Sequence, residues 1–481
     1  MTGKYTFDFE SPQAVKALLN KLHTKYEAYL VGGCTRDLLL EGRTPKDYDI
    51  TTNATPEQIK ELFSDLPIIN NNGEKHGTVT VRHQDENYEI TTYRLDSDYS
   101  DHRHPDEVKF TTNLEEDLSR RDFTINAFVY DGKYLCDYFN GMADIDDNVI
   151  RAIGNPYTRF TEDALRILRM IRFASVLNFD IAQGTLECAW MLRKTLAYVS
   201  KERIREELNK MIVGPGFYKL ATNYFVMDIL AEVLPIRELF NFDQPNPAHL
   251  FDLWIHTLHV LKHSVENTVP KDYKLALAAL FHDIGKPRTV SEEWDENRKV
   301  IAVHYPNHPA KSAEMAEAWL REYKYSTTEI KYIRALVRLH DEKEFADTNR
   351  SKVKSLLNKL SKEINTTNKI EINGLFGYLA YLKEADTNDH DYSETKYKDI
   401  KWLSADELIG IAQDIKETND CYLLKDLAVN GNDFLELGIE PGPVVKDILN
   451  ALLRRVIAGE LENNREVLLA EIKDIKQKLG I

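Results

Sequence analysis

Two aspartates, Asp47 and Asp49, flank Tyr48 in the run KDYDITT, which reads as a strand. Alternation along a strand sends both carboxylates to one face, close enough to share a divalent metal. Hard oxygen donors suit Mg²⁺, which keeps its other positions for water and substrate phosphates. Upstream, Gly32-Gly33 ends the strand EAYLVGG just before a short helix over 34–41. Backbone N–H groups there can approach a triphosphate, and Arg36 and Asp37 stand in the first turn. Glu89, in YEITTYR, is the candidate third carboxylate. Such a set suits two-metal in-line displacement, with a 3′-hydroxyl activated and a departing pyrophosphate stabilised. For a DxD standing alone, a solvated acidic turn is the commoner explanation.

The stretch EDALRILRMIRF at 162–173 sets Asp163, Arg166, Arg169 and Arg172 at successive three-residue steps, which predicts one slowly rotating helix face. A carboxylate accepts from an exocyclic amine, and a guanidinium offers a planar fork of donors to ring nitrogens and carbonyls. Cytosine and adenine both present an amino group beside a ring-nitrogen acceptor, so an Asp–Arg pair can accept either and disfavour uracil and guanine. Local ion pairs on a solvated helix, at about 0.3–0.5 kcal/mol each, explain the same spacing. A third set comprises His256, the adjacent His282-Asp283, His308, and the adjacent His340-Asp341. Mixed imidazole and carboxylate donors admit several divalent metals, whereas a lone histidine in such a run is more often packed or on the surface.

The elements that must position these residues are legible in outline. Ser11-Pro12 opens a helix running to about Thr24, Thr55-Pro56 caps another, and TVTVRH and YEITTYRL flank the turn-prone QDEN as a hairpin. This predicts a small α/β domain over 1–137. From Tyr157 the pattern becomes helical, broken at VGPGF (213–217) and QPNPAH (244–249), with no internal repeat.

At 481 residues the chain predicts roughly three or four domains. Its 43% hydrophobic and 29% charged residues are those of a globular protein, and no run reaches the ~20 apolar residues of a membrane span. No signal or transit segment is evident at the start, so a cytoplasmic location without a membrane partner is expected. Cys34, Cys136, Cys188 and Cys421 are too dispersed for a CxxC site or a disulfide framework. A net charge of −16 counts against a nucleic-acid partner unless the field is local, and Arg-rich stretches supply that exception.

LVGGCTRDLLLEGRTPKDYDITT together with RRDFTINAF at 120–128 resembles the first signature motifs of the class II tRNA nucleotidyltransferases and their poly(A) polymerase relatives. The resemblance implies a polymerase-β-like α/β head (1–137), an all-helical neck with a base-reading motif (138–245), an HD domain (246–345) and a helical C-terminal body and tail that binds tRNA (346–481), an α+β fold overall. It implies that Asp47 and Asp49 hold catalytic metal, that Gly33 and Arg36, with Gly32 beside them, contact the incoming nucleotide, and that Arg121 and Asp122 lie near its ribose and phosphates. EDxxR is the family's protein template, here Glu162, Asp163 and Arg166, which makes Arg169 and Arg172 phosphate contacts. KERIREEL (201–208) resembles the next motif, with Glu202 and Arg203 as braces, although an amphipathic surface helix fits nearly as well. The polar stretch 96–110 matches a loop that switches C to A addition.

The histidine set is similar to the HD phosphohydrolases, whose H…HD…D ligands would be His256, His282, Asp283 and Asp341, with His308 and His340 for a second metal. That implies a second divalent ion and hydrolysis of RNA-end phosphoesters, or a retained idle domain. The implied reaction is addition of CCA from CTP and ATP to the 3′ end of tRNA, with Mg²⁺. Poly(A) or A-only addition is the neighbouring alternative. An HD phosphohydrolase with a nucleotide-sensing N-terminal domain is the distant one.

Overall fold

The computed structural model describes residues 3–7, 9, 11–69, 77–96, 108–245, 249–296, 300–393, 395 and 398–479. Most of the expected switching loop at 96–110, and the middle of 244–249, lie outside those residues. The chain divides into two units, 1–233 and 234–481, so the division falls ahead of the neck boundary expected at 245.

The first unit is built on an eight-stranded sheet. Its strands are β1 (Gly3–Thr6), β2 (Ala28–Val31), β3 (Asp49–Thr52), β4 (Ile68–Ile69), β5 (Thr78–His83), β6 (Glu86–Thr92), β7 (Val129–Tyr130) and β8 (Tyr134–Asp137). Their order across the sheet is β1-β8-β7-β2-β3-β6-β5-β4. β3 runs antiparallel to β2, with Val31 opposite Asp49, and parallel to β6, with Ile50 opposite Ile90. The expected hairpin is present. Gln84 and Asp85 both take positive φ (49° and 64°), as a tight two-residue turn matched to strand twist demands.

Helix α1 (Gln13–Leu22) buries Ala14, Val15, Leu18, Leu19 and Leu22, one face at helical spacing, in the sheet's core with Leu30, Ile50 and Ile90. Helix α2 (Gly33–Leu39) follows β2 directly. Helix α3 (Leu114–Ser119) is capped by Asn113. Farther along come α4 (Pro156–Glu162), α5 (Leu165–Leu177) and α6 (Lys201–Met211). The face predicted to be continuous through 162–173 is therefore broken. Asp163 is extended (φ −137°, ψ 103°), and its carboxylate accepts the Leu165 N–H that a continuing helix would place elsewhere.

The second unit is helical apart from a short antiparallel pairing of Ser291–Trp294 with Val300–His304. Its elements include α7 (Leu253–Glu266), α8 (Tyr273–Phe281), α9 (His308–Glu322), α10 (Thr327–Leu339), α11 (Arg350–Ile364) and α12 (Lys369–Asn388), then α13 (Pro443–Ala458) and α14 (Arg465–Leu479). Every residue of α8 from Leu275 to Phe281 is buried. A helix apolar on all sides belongs at a core centre, and its C-terminus delivers His282 and Asp283 there.

Tight packing in the first unit shows at Gly214, in the VGPGF connection. An added Cβ would fall 2.2 Å from the Ser175 hydroxyl and 2.8 Å from its backbone carbon. Because backbone cannot yield as a side chain does, Gly214→Ala should destabilise this unit by about 1–3 kcal/mol. Urea unfolding checks it; an unchanged midpoint would show that the α5 segment gives way freely.

Candidate active site and metal centre

In the first unit a cavity of about 600 Å³ is lined by Gly32, Gly33, Arg36, Asp47, Asp49, Arg120, Arg121, Asp122, Asn126, Asp163, Arg166, Arg169, Arg172, Phe173 and Arg203. It gathers all the residues expected from the head and from the base-reading motif except Glu89 and Glu162. Glu89 stands one residue before Ile90, the β6 partner of Ile50, so the parallel register sets it beside Asp49.

The floor is where β2 meets α2. Gly32 has φ +83°, and a Cβ there would lie 3.6 Å from the Asp49 carboxylate and 3.7 Å from the Arg121 guanidinium. Only glycine takes that backbone without strain and keeps the approach open. Asp47 precedes β3 rather than lying within it, yet it reaches the same cavity as Asp49. Asp47, Asp49 and Glu89 form no ion pair among the described residues. Desolvation pushes the Asp49 carboxyl above the usual range, with Glu89 and Asp47 adding to it and Arg121 opposing. Three crowded, unpaired carboxylates are what a hard divalent cation would relieve, so the residues present fit one.

Around them the cations are held in pairs. Arg36 donates to Asp37 at 2.6 and 2.9 Å and to Asn126 Oδ1 at 2.8 Å. Arg169 grips Asp122 at 2.6 and 3.0 Å. Burial would raise the Asp122 carboxyl, but Arg169 and Asn126 outweigh it and hold it at about 2. Arg172 pairs with Glu207, buried on α6. The guanidiniums of Arg36, Arg169 and Arg172 also stack around the Phe173 ring, at 5.1, 5.4 and 3.9 Å. Asp163 receives Arg203 at 2.9 Å, and Arg166 donates to Glu162 at 2.6 Å, while Glu202 points outward.

In the second unit His256, His282, Asp283, His308 and His340 converge. Each imidazole has its Nδ1 against an acceptor: His256 on Asp389 (2.7 Å), His282 on the Ala279 carbonyl (2.7 Å), His308 on the Tyr305 carbonyl (2.9 Å) and His340 on the Val337 carbonyl (2.8 Å). Carbonyls and carboxylates only accept, so Nδ1 carries the hydrogen and Nε2 turns inward, the arrangement of metal-ligating histidine. Nε2 of His256 and of His282 lie 3.2 Å apart. Asp283 Oδ1 is buried without a hydrogen bond among the described residues, although Nε2 of His308 and of His340 stand 3.2 and 3.5 Å away. These observations fit a divalent ion.

The expected fourth ligand, Asp341, does not join them. Its side chain is 52% exposed and faces Lys383 at 3.7 Å. Asp386, from α12, takes the place instead, grouping with His256 and His282. The close spacing of Asp386, near the end of α12, with Asp389 and His390 just beyond it was its local signal. Two buried lysines hold the carboxylates from behind, Lys286 on Asp283 at 2.7 Å and Lys383 on Asp386 at 2.9 Å. Despite burial, these cations and the imidazoles keep both carboxyls well below the usual range. Burial lowers His282, whereas Asp386 and Asp389 overcome it at His256 and push that ring up to about 9.

Residues 28–151 match the poly A polymerase head domain, and 178–238 match the probable RNA and SrmB-binding site of polymerase A. Residues 253–365 match the HD domain, and 396–472 a putative tRNA nucleotidyltransferase domain 2. The chain is 43% identical over 262 residues to a CCA-adding enzyme of Oceanobacillus iheyensis, covering 53% of this chain and 64% of that one. It is 48% identical over 245 residues to one of Lactobacillus helveticus, covering 49% and 60%. The chain thus spans under two thirds of these relatives' length.

Among solved structures, the Bacillus stearothermophilus CCA-adding enzyme in complex with CTP superposes with a TM-score of 0.66 at 26% identity, over 97% of this chain and 98% of that one. A Thermotoga maritima CCA-adding enzyme complexed with tRNA-CCA shares the fold, with a TM-score of 0.57 at 18% identity over 99% and 100%. The α+β architecture, with a sheet-based head followed by helical HD and C-terminal regions, is that of these enzymes. No helix among the described residues is long and apolar enough to cross a membrane.

The exchange of Asp341 for Asp386 is directly testable. Asp386→Asn should weaken Mn²⁺ or Co²⁺ binding at the imidazole centre by about tenfold or more, and Asp341→Asn should leave it within twofold. Titration calorimetry on the full chain reads both; the reverse ranking would overturn the assignment.

Proposed function

We propose that this chain extends the 3′ end of tRNA without a nucleic-acid template, taking CMP, CMP and AMP from CTP and ATP and releasing pyrophosphate. The observation that carries the reading is one cavity holding both the unpaired carboxylates and the Asp163–Arg166 pair. The CCA-adding relatives, and the superposition on a CTP complex at 26% identity, point the same way.

Asp47 and Asp49, with Glu89 alongside, are the residues that would hold Mg²⁺, which supplies activation of the attacking hydroxyl and charge relief at the leaving group. Backbone N–H groups after Gly32 approach the triphosphate, and Arg36, Arg121, Arg169 and Arg172 balance its charge. In the transfer, the RNA 3′-oxygen forms a bond to the α-phosphorus as the bond to pyrophosphate breaks, and the hydroxyl proton leaves to solvent. Asp163 accepts the exocyclic amine of cytosine or adenine, and Arg166 donates to the ring nitrogen beside it. Uracil and guanine offer the opposite pattern and leave both side chains mismatched. A cytoplasmic setting fits this substrate.

A second reading concerns the HD centre. The unpaired Asp283 oxygen among four inward-facing imidazoles favours a metal-activated water attacking a phosphoester, independently of nucleotide addition. His282→Ala should then abolish hydrolysis of a 2′,3′-cyclic phosphate RNA end and leave nucleotide addition intact. Absence of hydrolysis by the wild-type chain in Mg²⁺, Mn²⁺, Co²⁺ and Ni²⁺ would count against it.

With tRNA ending at the discriminator base, labelled CTP alone should give two added residues, and CTP with ATP should give three. A ladder from ATP alone would indicate poly(A) synthesis instead, and one A added to tRNA-CC only would indicate A addition. The folded Asp47→Ala/Asp49→Ala double variant should lose at least about 10³-fold in rate, on the order of 4 kcal/mol of transition-state stabilisation. Normal extension by it would refute the mechanism. Asp163→Ala or Arg166→Ala should relax base choice more than it lowers metal affinity, and unchanged selection would remove their assigned role.

A further inference from the structure

Arg159 and Glu162 lie outside the cavity lining, yet every restraint on the base-reading Arg166 passes through them or through the head backbone. Arg159 Nη2 donates to Glu162 Oε1 at 2.5 Å, and the other Glu162 oxygen accepts from Arg166 Nη1 at 2.6 Å. Arg166 Nη1 also donates to the Arg159 carbonyl at 3.0 Å. The second arm of each arginine reaches the C-terminal end of α3, Arg159 Nη1 to the Ser119 carbonyl and Arg166 Nη2 to the Arg120 carbonyl, both at 2.8 Å.

Two consecutive carbonyls at a helix C-terminus, where the backbone carries partial negative charge, thus receive two guanidiniums linked by one carboxylate. Arg159 lies on α4 and Arg166 on α5, on opposite sides of the non-helical joint at Asp163. Without a helical hydrogen-bond ladder through that joint, these side chains span it. The carbonyls they grip immediately precede Arg121 and Asp122, so one set of bonds fixes the base-reading fork relative to the loop beside the triphosphate.

We propose that Arg159 is a specificity-determining positioning residue, which fixes the Arg166 guanidinium through Glu162 and through its own carbonyl and anchors the joint at Asp163 to the end of α3. This rests on the reading of the cavity as a nucleotide site that selects cytosine and adenine. A planar donor fork discriminates bases only while its orientation is held. Loss of the Arg159 side chain releases one oxygen of Glu162 and the tie to Ser119, so the carboxylate that holds Arg166 is itself no longer fixed and selectivity falls further than affinity.

The test is equilibrium binding of CTP, ATP, UTP and GTP to the full chain with Mg²⁺, for wild type, Arg159→Ala and Arg159→Lys, with melting temperature recorded for each. Wild type should favour CTP and ATP over UTP and GTP. Arg159→Ala should reduce that ratio by about tenfold, the effect of one charged hydrogen bond, with CTP affinity itself falling less. Arg159→Lys should be intermediate, because an ammonium can satisfy Glu162 but does not reproduce the fork across two acceptors. A folded Arg159→Ala with the wild-type ratio overturns the inference. If Arg159→Ala does not fold, Arg159→Lys decides, and an unchanged ratio there overturns it equally. A wild-type chain that binds all four equally, or none, refutes the underlying reading of the cavity instead.

Discussion

Seven guanidiniums around one cavity repel each other, at about 2–4 kcal/mol for each close pair at an effective dielectric near 20. The first unit resolves this by giving each a carboxylate: Arg36 has Asp37, Arg120 and Arg121 share Asp117, Arg166 has Glu162, Arg169 has Asp122, Arg172 has Glu207 and Arg203 has Asp163. Most of these carboxylates come from other elements than the arginine they serve. The pairs on α5 and α6 therefore act as ties, joining α5 to α4, to α6 and to the segment at Asp122, and α6 to the joint at Asp163. Removing one partner leaves a half-buried charge uncompensated, which typically costs about 3–5 kcal/mol.

The same pairing reconciles a chain of net charge −16 with a polyanionic substrate. Only four aspartates line the cavity against seven arginines, and two of those four, Asp122 and Asp163, are occupied by Arg169 and Arg203. Asp47 and Asp49 remain, with Glu89 beside them and no guanidinium among the described residues bound to any of the three. The cavity is thus split into a cation-rich wall and a bare acidic corner. Donors arranged in advance on such a wall need little reorganisation when a triphosphate arrives.

Much of this was legible in the sequence, because it rests on short periods. The DxD spacing pointed to Asp47 and Asp49 sharing a site, which they do although Asp47 lies ahead of β3, the double glycine marked the close turn, and the hairpin around Gln84-Asp85 followed from its flanking strands. What failed was any inference that needed a partner far along the chain or a local break in a period. The three-residue steps from Asp163 to Arg172 suggested one helix, but the Asp163 carboxylate competes for a backbone donor and ends α4. Nothing near Arg172 advertises Glu207, which α6 supplies by packing. Likewise Asp341, adjacent to His340, looked like its companion, whereas the carboxylate grouped with His256 and His282 is that of Asp386, brought in by α12 against α7. Adjacency in sequence does not make two side chains share a direction, and the packing of α12 is a global property of the unit.

The two centres differ in hardness as well as in place. Asp47, Asp49 and Glu89 offer oxygen alone beside an open cavity, a set that suits a small ion keeping water and phosphate in its shell. The second centre offers three buried imidazoles and the partly buried His308 with Asp283 and Asp386, a set that favours later first-row metals by the Irving–Williams order. Lys286 and Lys383 each take one oxygen of those carboxylates and limit how many can turn to a metal. Donor type and burial thus fit the two units to different ions, and neither set borrows a ligand from the other.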